Sequence, residues 1–186
     1  MKLACKPLTP ARRKDFEALF STDRTCSGCW CVWNRVSAAE YHAGWGAANK
    51  RRMKAIVRSG EVPGLLAYEG RKPVGWAALG PRAAYKRLER SRVCRPPDAE
   101  PAWSLPCFFT GKDARGKGVS VALLKAAAAY ARKKGARRLE GYPVDPRGKK
   151  QPAGFVWWGL APAFRAAGFR EVLRRSRTRP FMRKTL

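Results

Sequence analysis

Arg115-Gly116-Lys117-Gly118-Val119-Ser120 has the composition of an anion cradle. Its two glycines permit positive φ and let a backbone come close to a ligand. The helix-forming run Val121–Ala131 follows at once, so the free N–H groups of a new helix point back into the turn. An aromatic strand, a basic glycine turn and a helix in that order suit a phosphate-bearing ligand. Two other groups of residues can do chemistry. Glu140, Tyr142 and Asp145 offer two carboxylates and a phenol within six residues, the raw material of general acid–base work. Cys26-Ser27-Gly28-Cys29-Trp30-Cys31 has the spacing of a zinc half-site or a redox pair, and a fourth metal ligand would come from His42, Cys5, Cys94 or Cys107.

Two phosphate motifs fail on single residues. Gly111 to Lys117 fits a G-x-x-x-x-G-K loop, but Gly118 stands where a hydroxyl must hold magnesium. Gly116-x-Gly118 opens like a dinucleotide fingerprint, but Val121 stands where the third glycine belongs. Glu140 and Asp145 are also candidates to pair with arginine, and Tyr142 to be a core aromatic with its hydroxyl at an edge. His42, the only histidine, reads as a surface or packing residue. Cys107 has no base beside it in sequence and reads as a small buried residue.

The elements that must position these groups alternate along the chain. A strand is expected at Lys2–Pro7, then a helix from Thr9-Pro10 to about Phe20, where a hydroxyl precedes a first-turn proline. Ser21–Arg35 reads as a loop. Ser37-Ala38-Ala39-Glu40 is a capping box, so a helix is expected to about Ser59, weakened by Gly44 and Gly46. Gly64–Glu69 and Pro73–Leu79 form a hairpin around Gly70, and a short helical piece lies near Tyr85–Arg90. One strand is expected at Trp103–Thr110, and the cradle helix ends at Gly135. Arg138–Pro143 is the next strand, parallel to the last if the unit is βαβ. A polar loop at Asp145–Gly154, a short helix at Gly159–Ala167 and strands near Phe169–Arg175 and Arg179–Thr185 complete one domain over 1–186.

With 40 Lys and Arg against 13 Asp and Glu, the chain carries +27. That charge attracts polyanions and argues against a polycationic substrate. No apolar run is long enough to span a membrane, no signal-peptide pattern opens the chain, and six unevenly spaced cysteines are not a disulfide scaffold. A cytoplasmic protein is expected.

Taken with its position, the cradle resembles that of the GNAT superfamily of acyl-CoA-dependent N-acyltransferases. Their Arg/Gln-x-x-Gly-x-Gly/Ala pattern follows a fourth strand and opens a helix, and Arg115 to Ser120 match it with Ser120 in the last place. The resemblance covers nearly the whole chain. It implies an α/β GNAT-like domain with a mixed, mostly antiparallel sheet, flanked by helices and splayed between its fourth and fifth strands, Trp103–Thr110 and Arg138–Pro143. It implies that Phe108, Phe109 and Thr110 hold the pantetheine arm of acetyl-CoA, and that amides of Arg115, Gly116, Lys117, Gly118, Val119 and Ser120 hold its pyrophosphate. Acetyl transfer to an amine would run by direct attack. The family's usual Tyr acid is replaced here by Phe164, which leaves Glu140, Tyr142 and Asp145 as the candidate catalytic groups. By position, Trp30, Cys31 and Trp33 would wall the acceptor pocket, with no metal. The acceptor would be a small-molecule or protein amine, and a homodimer through the C-terminal strands stays open. The alternative is a GNAT fold without catalysis that binds nucleic acid or another polyanion.

Overall fold

The computed structural model describes residues 3–149 and 151–186, so Lys2 of the expected first strand lies outside the described residues. Strand β1 (Leu3–Pro7) pairs antiparallel with β2 (Gly64–Glu69), and β2 turns at Gly70, φ +59°, into antiparallel β3 (Lys72–Ala78). Alternation along these strands separates two cores. Leu65, Ala67 and Ala77 face one way, onto Leu123, Leu124, Ala127 and Ala131 of the cradle helix. Leu66, Tyr68, Trp76 and Ala78 face the other way, onto Phe16, Leu19, Phe20, Met53 and Val57.

The single strand expected at Trp103–Thr110 is two. A short strand, β4 (Gly80–Pro81), pairs with β5 (Trp103–Leu105), which runs parallel to β7 (Arg138–Gly141). Strand β6 (Phe108–Thr110) instead joins β3 in the first sheet. The break falls at Pro106-Cys107, because proline has no N–H to continue a ladder. The second sheet is completed by β9 (Pro180–Thr185) on β7 and β8 (Arg170–Arg174) on β9, both antiparallel. The result is a mixed, mostly antiparallel α/β arrangement that opens after the Leu105–Gly141 pair. The cradle helix α6 (Val119–Lys133) connects β6 to β7 and packs on β2 and β3.

Helix boundaries differ from expectation where a side-chain cap or a glycine decides them. The segment after Thr9 begins as a tight 3-10 turn, Pro10–Arg12, before α1 (Arg13–Phe20). The expected loop at 21–35 contains α2 (Arg24–Cys29), because the Asp23 side chain accepts from the N–H groups of Thr25 and Cys26. The capping box at Ser37 and Glu40 is present, but it starts only α3 (Ala38–Ala43). Gly46, at φ +83°, separates that helix from α4 (Ala47–Arg58). Short helices α5 (Lys86–Arg90) and α7 (Ala161–Ala166) lie where expected. Among the described residues no helix is long and apolar enough to cross a membrane.

Gly75 shows why α6 sits where it does. A Cβ at this position would come within 2.4 Å of Val119 Cγ1, so glycine lets the first turn of α6 lie close against β3. Gly75→Val is expected to lower the thermal midpoint and weaken binding at the cradle together, as read by circular dichroism and calorimetry. A loss of stability without a loss of binding would refute the link.

Candidate active site

Strand β6 is the edge of its sheet, and its hydrogen bonds alternate. Ala78 N–H donates to Cys107 O at 2.8 Å and Gly111 N–H to Val74 O at 3.0 Å, with Phe109 opposite Trp76 between them. Phe109 therefore directs its backbone groups at β3, whereas Phe108 and Thr110 direct theirs into the gap beside β7. The Phe108 N–H donates to Trp157 O at 2.6 Å, and Thr110 O accepts from Arg115 Nε at 3.3 Å. Of the three residues expected to line the gap with backbone, two do so.

The chain then turns through Lys112–Ala114 into the glycines. Gly116 (φ +75°) and Gly118 (φ +78°) both adopt the left-handed conformation, and Gly118 is the N-cap residue of α6. No side chain among the described residues caps this helix. Among the described residues the amides of Gly116, Gly118, Val119 and Ser120 donate to no backbone acceptor outside the helix, and the first turn of a helix has none within it. A Cβ at either glycine would meet nothing within 4 Å, so the turn has an open face, flanked by the exposed side chains of Arg115 and Lys117. Val119 contributes only its N–H, since its side chain is in the core.

Of the three candidate acid–base groups, Glu140 and Tyr142 are neighbours, Asp145 sits apart among Arg165 and Arg174, and the reactive atoms of all three are occupied. Glu140 on β7 is fully buried. Its Oε2 accepts from Arg82 Nη1, and its Oε1 accepts from Arg183 Nη2 at 2.7 Å and Nε at 3.0 Å. Burial pushes its carboxyl up, and the two arginines oppose that shift. Tyr142 is 1% exposed, packed edge-on against Trp158 and Phe181, with its hydroxyl 3.0 Å from Ser104 Oγ. Burial holds its phenol well above the usual range. Asp145 Oδ2 accepts from Arg174 Nη2 at 2.8 Å, with Arg165 at 3.5 Å. For both carboxylates the geometry is that of an arginine partner, and Tyr142 is a core aromatic. Arg82 and Arg183 were not legible as the partners of Glu140, since they lie 58 and 43 residues from it.

Asp98, Asp145 and Glu171 are held below the ordinary carboxylate range by hydrogen bonds from Arg183, Arg174 and Arg174 in turn. A carboxyl depressed on folding stabilises the fold above its unfolded pKa of about 4 and loses that contribution as pH falls through the folded value. Glu140, shifted upward, works in the opposite sense. Glu17 and Glu40 are lowered as well, so with five groups against one the thermal midpoint should hold steady from pH 7 to about 5 and fall below about pH 4. A midpoint that rises in acid would contradict this.

The expected acceptor wall divides. Trp30, 4% exposed, stacks on Phe20 at 5.9 Å beneath Lys50 and belongs to the core between α1 and α4. Cys31 is buried and accepts from Trp76 Nε1 at 3.2 Å. A hydrogen bond from Cys107 holds its thiol below the ordinary value against the effect of burial. Trp33 alone reaches the surface, half-buried and covered by the Arg87 guanidinium at 3.7 Å from its ring centre. Among the described residues no group of three or more His, Cys, Asp or Glu is arranged around a metal position.

The sequence profile of the acetyltransferase (GNAT) family matches residues 29–147, well over half of the chain, including β6, the glycine turn and α6. The chain belongs to this family. No curated protein matches the chain in sequence. Solved structures of the same fold include a histone acetyltransferase HPA2-related acetyltransferase from Corynebacterium glutamicum, 19% identical, TM-score 0.56, over 100% of this chain and 97% of that one. A ribosomal-protein-alanine N-acetyltransferase from Brucella melitensis is 20% identical, TM-score 0.55, over 98% and 99%. The PaiA N-acetyltransferase from Thermoplasma acidophilum, solved with coenzyme A, is 16% identical, TM-score 0.56, over the whole of both chains.

In this GNAT chain, Phe164 of α7 fills the mouth of the opening between β6 and β7. It is fully buried, packed edge-on against Phe108 at 5.7 Å and Phe169 at 5.0 Å. A Cβ at Gly141, the last residue of β7, would lie 2.1 Å from its ring. Its ring thus lies between Phe108 of β6 and Gly141 of β7 and carries no group that can give a proton.

Proposed function

We propose that this chain is an N-acetyltransferase that moves an acetyl group from acetyl-CoA to an amine by direct attack, with residues 1–186 acting as one domain. The observation that carries the reading is the open turn at Gly116–Ser120, with four amides free to bind an anion, placed next to the gap-facing backbone of Phe108 and Thr110. The amides, with Arg115 and Lys117, fit a pyrophosphate. The edge of β6 fits the amide-bearing pantetheine arm as an added strand. The coenzyme A in the PaiA structure supports the same ligand for this fold. The one-domain reading is supported by a core whose residues come from both sheets, Leu65 and Ala77 with Leu105 and Leu139.

In the reaction the amine nitrogen attacks the thioester carbonyl carbon, the C–S bond breaks, the thiolate leaves, and the amine's proton passes to thiolate or solvent. Glu140 and Asp145 are tied to arginines, and Tyr142 to Ser104, so this chain supplies position and amide donors rather than a free base. The rate at limiting acceptor should then rise with pH through the acceptor's own amine pKa, and move when an amine of different pKa is used. A pH profile that stays fixed across amines would instead reveal a titrating group of the protein.

Thiol release from acetyl-CoA with a panel of amines tests the activity. Failure to bind acetyl-CoA would overturn it. The +27 charge favours polyanion binding as a second property, and salt-sensitive affinity for RNA or duplex DNA without acetyl-CoA affinity would make it the main one. Six free cysteines suit the reducing cytoplasm we propose as its compartment.

A further inference from the structure

Four buried polar side-chain atoms of the described residues have no hydrogen-bond partner: Nη2 of Arg35, Arg82 and Arg87, and the hydroxyl of Tyr85. Three are guanidinium donors. Buried donors without acceptors are uncommon, and each calls for a missing acceptor. Two of these arginines have their charge matched within the chain. Arg35 Nη2 lies 2.7 Å from Glu61 Oε1, out of line for a hydrogen bond but close as an ion pair. Arg82 faces Glu89 and Glu140. Arg87 has no carboxylate within ion-pair distance among the described residues.

Arg87 is also held in place. Its guanidinium carbon sits 3.7 Å from the Trp33 ring centre and its Nε donates to Val36 O at 3.0 Å. These two contacts hold the guanidinium and leave Nη2 spare. Its backbone N–H donates to Asn34 O at 3.3 Å, and Asn34 Nδ2 donates to Pro106 O at 3.3 Å. Pro106 is two residues from Phe108, where the strands part. Tyr41, which packs edge-on against Trp33, is near enough to feel both Cys107 and Arg87. The unmatched arginine and the opening are thus joined through one residue, Asn34, which is itself buried.

We propose that Arg87, with Trp33 beneath it, is the acceptor's anion-binding residue, and that the acceptor is an amine carrying a carboxylate. The proposal rests on the acetyltransferase reading and narrows its substrate class. A planar guanidinium held in this way pairs bidentately with a carboxylate, and a bound carboxylate supplies the acceptor that Nη2 lacks. The other end of such a molecule, its neutral amine, is then directed toward the Pro106–Phe108 break.

The test is a matched panel of ω-amino acids of two to six carbons, their carboxamides, and the corresponding aminoalkyl phosphates, assayed by thiol release from acetyl-CoA. Acetyl-CoA affinity is measured separately by calorimetry. At least one amino acid should exceed its carboxamide in kcat/KM by about 10–100-fold, the range expected for a charge-assisted hydrogen bond. Arg87→Gln should remove that preference through KM, the acid losing far more than the carboxamide, while acetyl-CoA affinity, which rests on other residues, stays unchanged. Arg87→Lys, which keeps charge without the fork, should fall between. Equal rates for acid and amide, a preference that survives Arg87→Gln, or a preference for the phosphates would overturn the proposal while leaving the transferase reading intact. Absence of acetyl-CoA binding in the wild-type chain would overturn both.

Discussion

Glu140→Gln should destabilise the protein by about 3 kcal/mol or more while leaving the kcat of the folded fraction near its original value. The two arginines that Glu140 neutralises are themselves poorly hydrated, with Arg82 retaining 7% and Arg183 14% side-chain exposure. Glutamine differs from the neutral acid that burial favours. Both oxygens of the acid can still accept from the arginines, whereas the glutamine NH2 cannot. One arginine donor is left facing a donor, and the two charges keep only Glu89 and Asp98 at the rim. Urea unfolding and thiol-release kinetics on one preparation give both readouts. A catalytic base would behave in the opposite way, with kcat falling about 10²–10⁴-fold and stability changing little. Adding Arg82→Met to Glu140→Gln should recover part of the lost stability, because removing both partners of a buried pair costs less than removing one.

Gly118→Trp is expected to reduce acetyl-CoA affinity more than about 100-fold, since losing even two charge-assisted hydrogen bonds of about 1.5–3 kcal/mol each exceeds that factor. The fold should survive. A side chain at φ +78° costs about 1–2 kcal/mol, and its Cβ would meet nothing within 4 Å. The indole would lie over the free amides of the turn. Gly118→Ala is the control, carrying the same backbone strain without the bulk. If both variants bind acetyl-CoA as the original does, the turn is not its pyrophosphate site.

Local signals carried most of the fold. The hairpin at Gly70, the glycine turn and the helix stopped before Gly135 all depend on residues within a few positions of one another, and each lies where the sequence placed it. Pro106 was visible too, but a proline in an aromatic strand does not say that the halves join different sheets; that depends on β3 and β7, about thirty residues away on either side. The candidate site divides along the same line. The cradle is made by backbone conformation and was legible from Gly116 and Gly118. The fates of Glu140 and Asp145 depended on which of many arginines folds against them, and Arg183, Arg82 and Arg174 carry no mark in the sequence. Arg87 became distinctive only as an arginine with a buried, unpaired Nη2 and no carboxylate beside it among the described residues.

The hydrogen bond from Phe108 N–H to Trp157 O gives this protein an internal competitor. One amide cannot serve two acceptors at full strength, so a ligand carbonyl that claims Phe108 must evict Trp157 first. That exchange forfeits a bond worth about 0.5–1.5 kcal/mol, which tempers affinity and favours ligands with enough other contacts to compensate. Eviction also disturbs an indole pair, since Trp157 and Trp158 lie 4.3 Å apart. Their emission therefore offers an intrinsic optical gauge of occupancy at the point where the strands part.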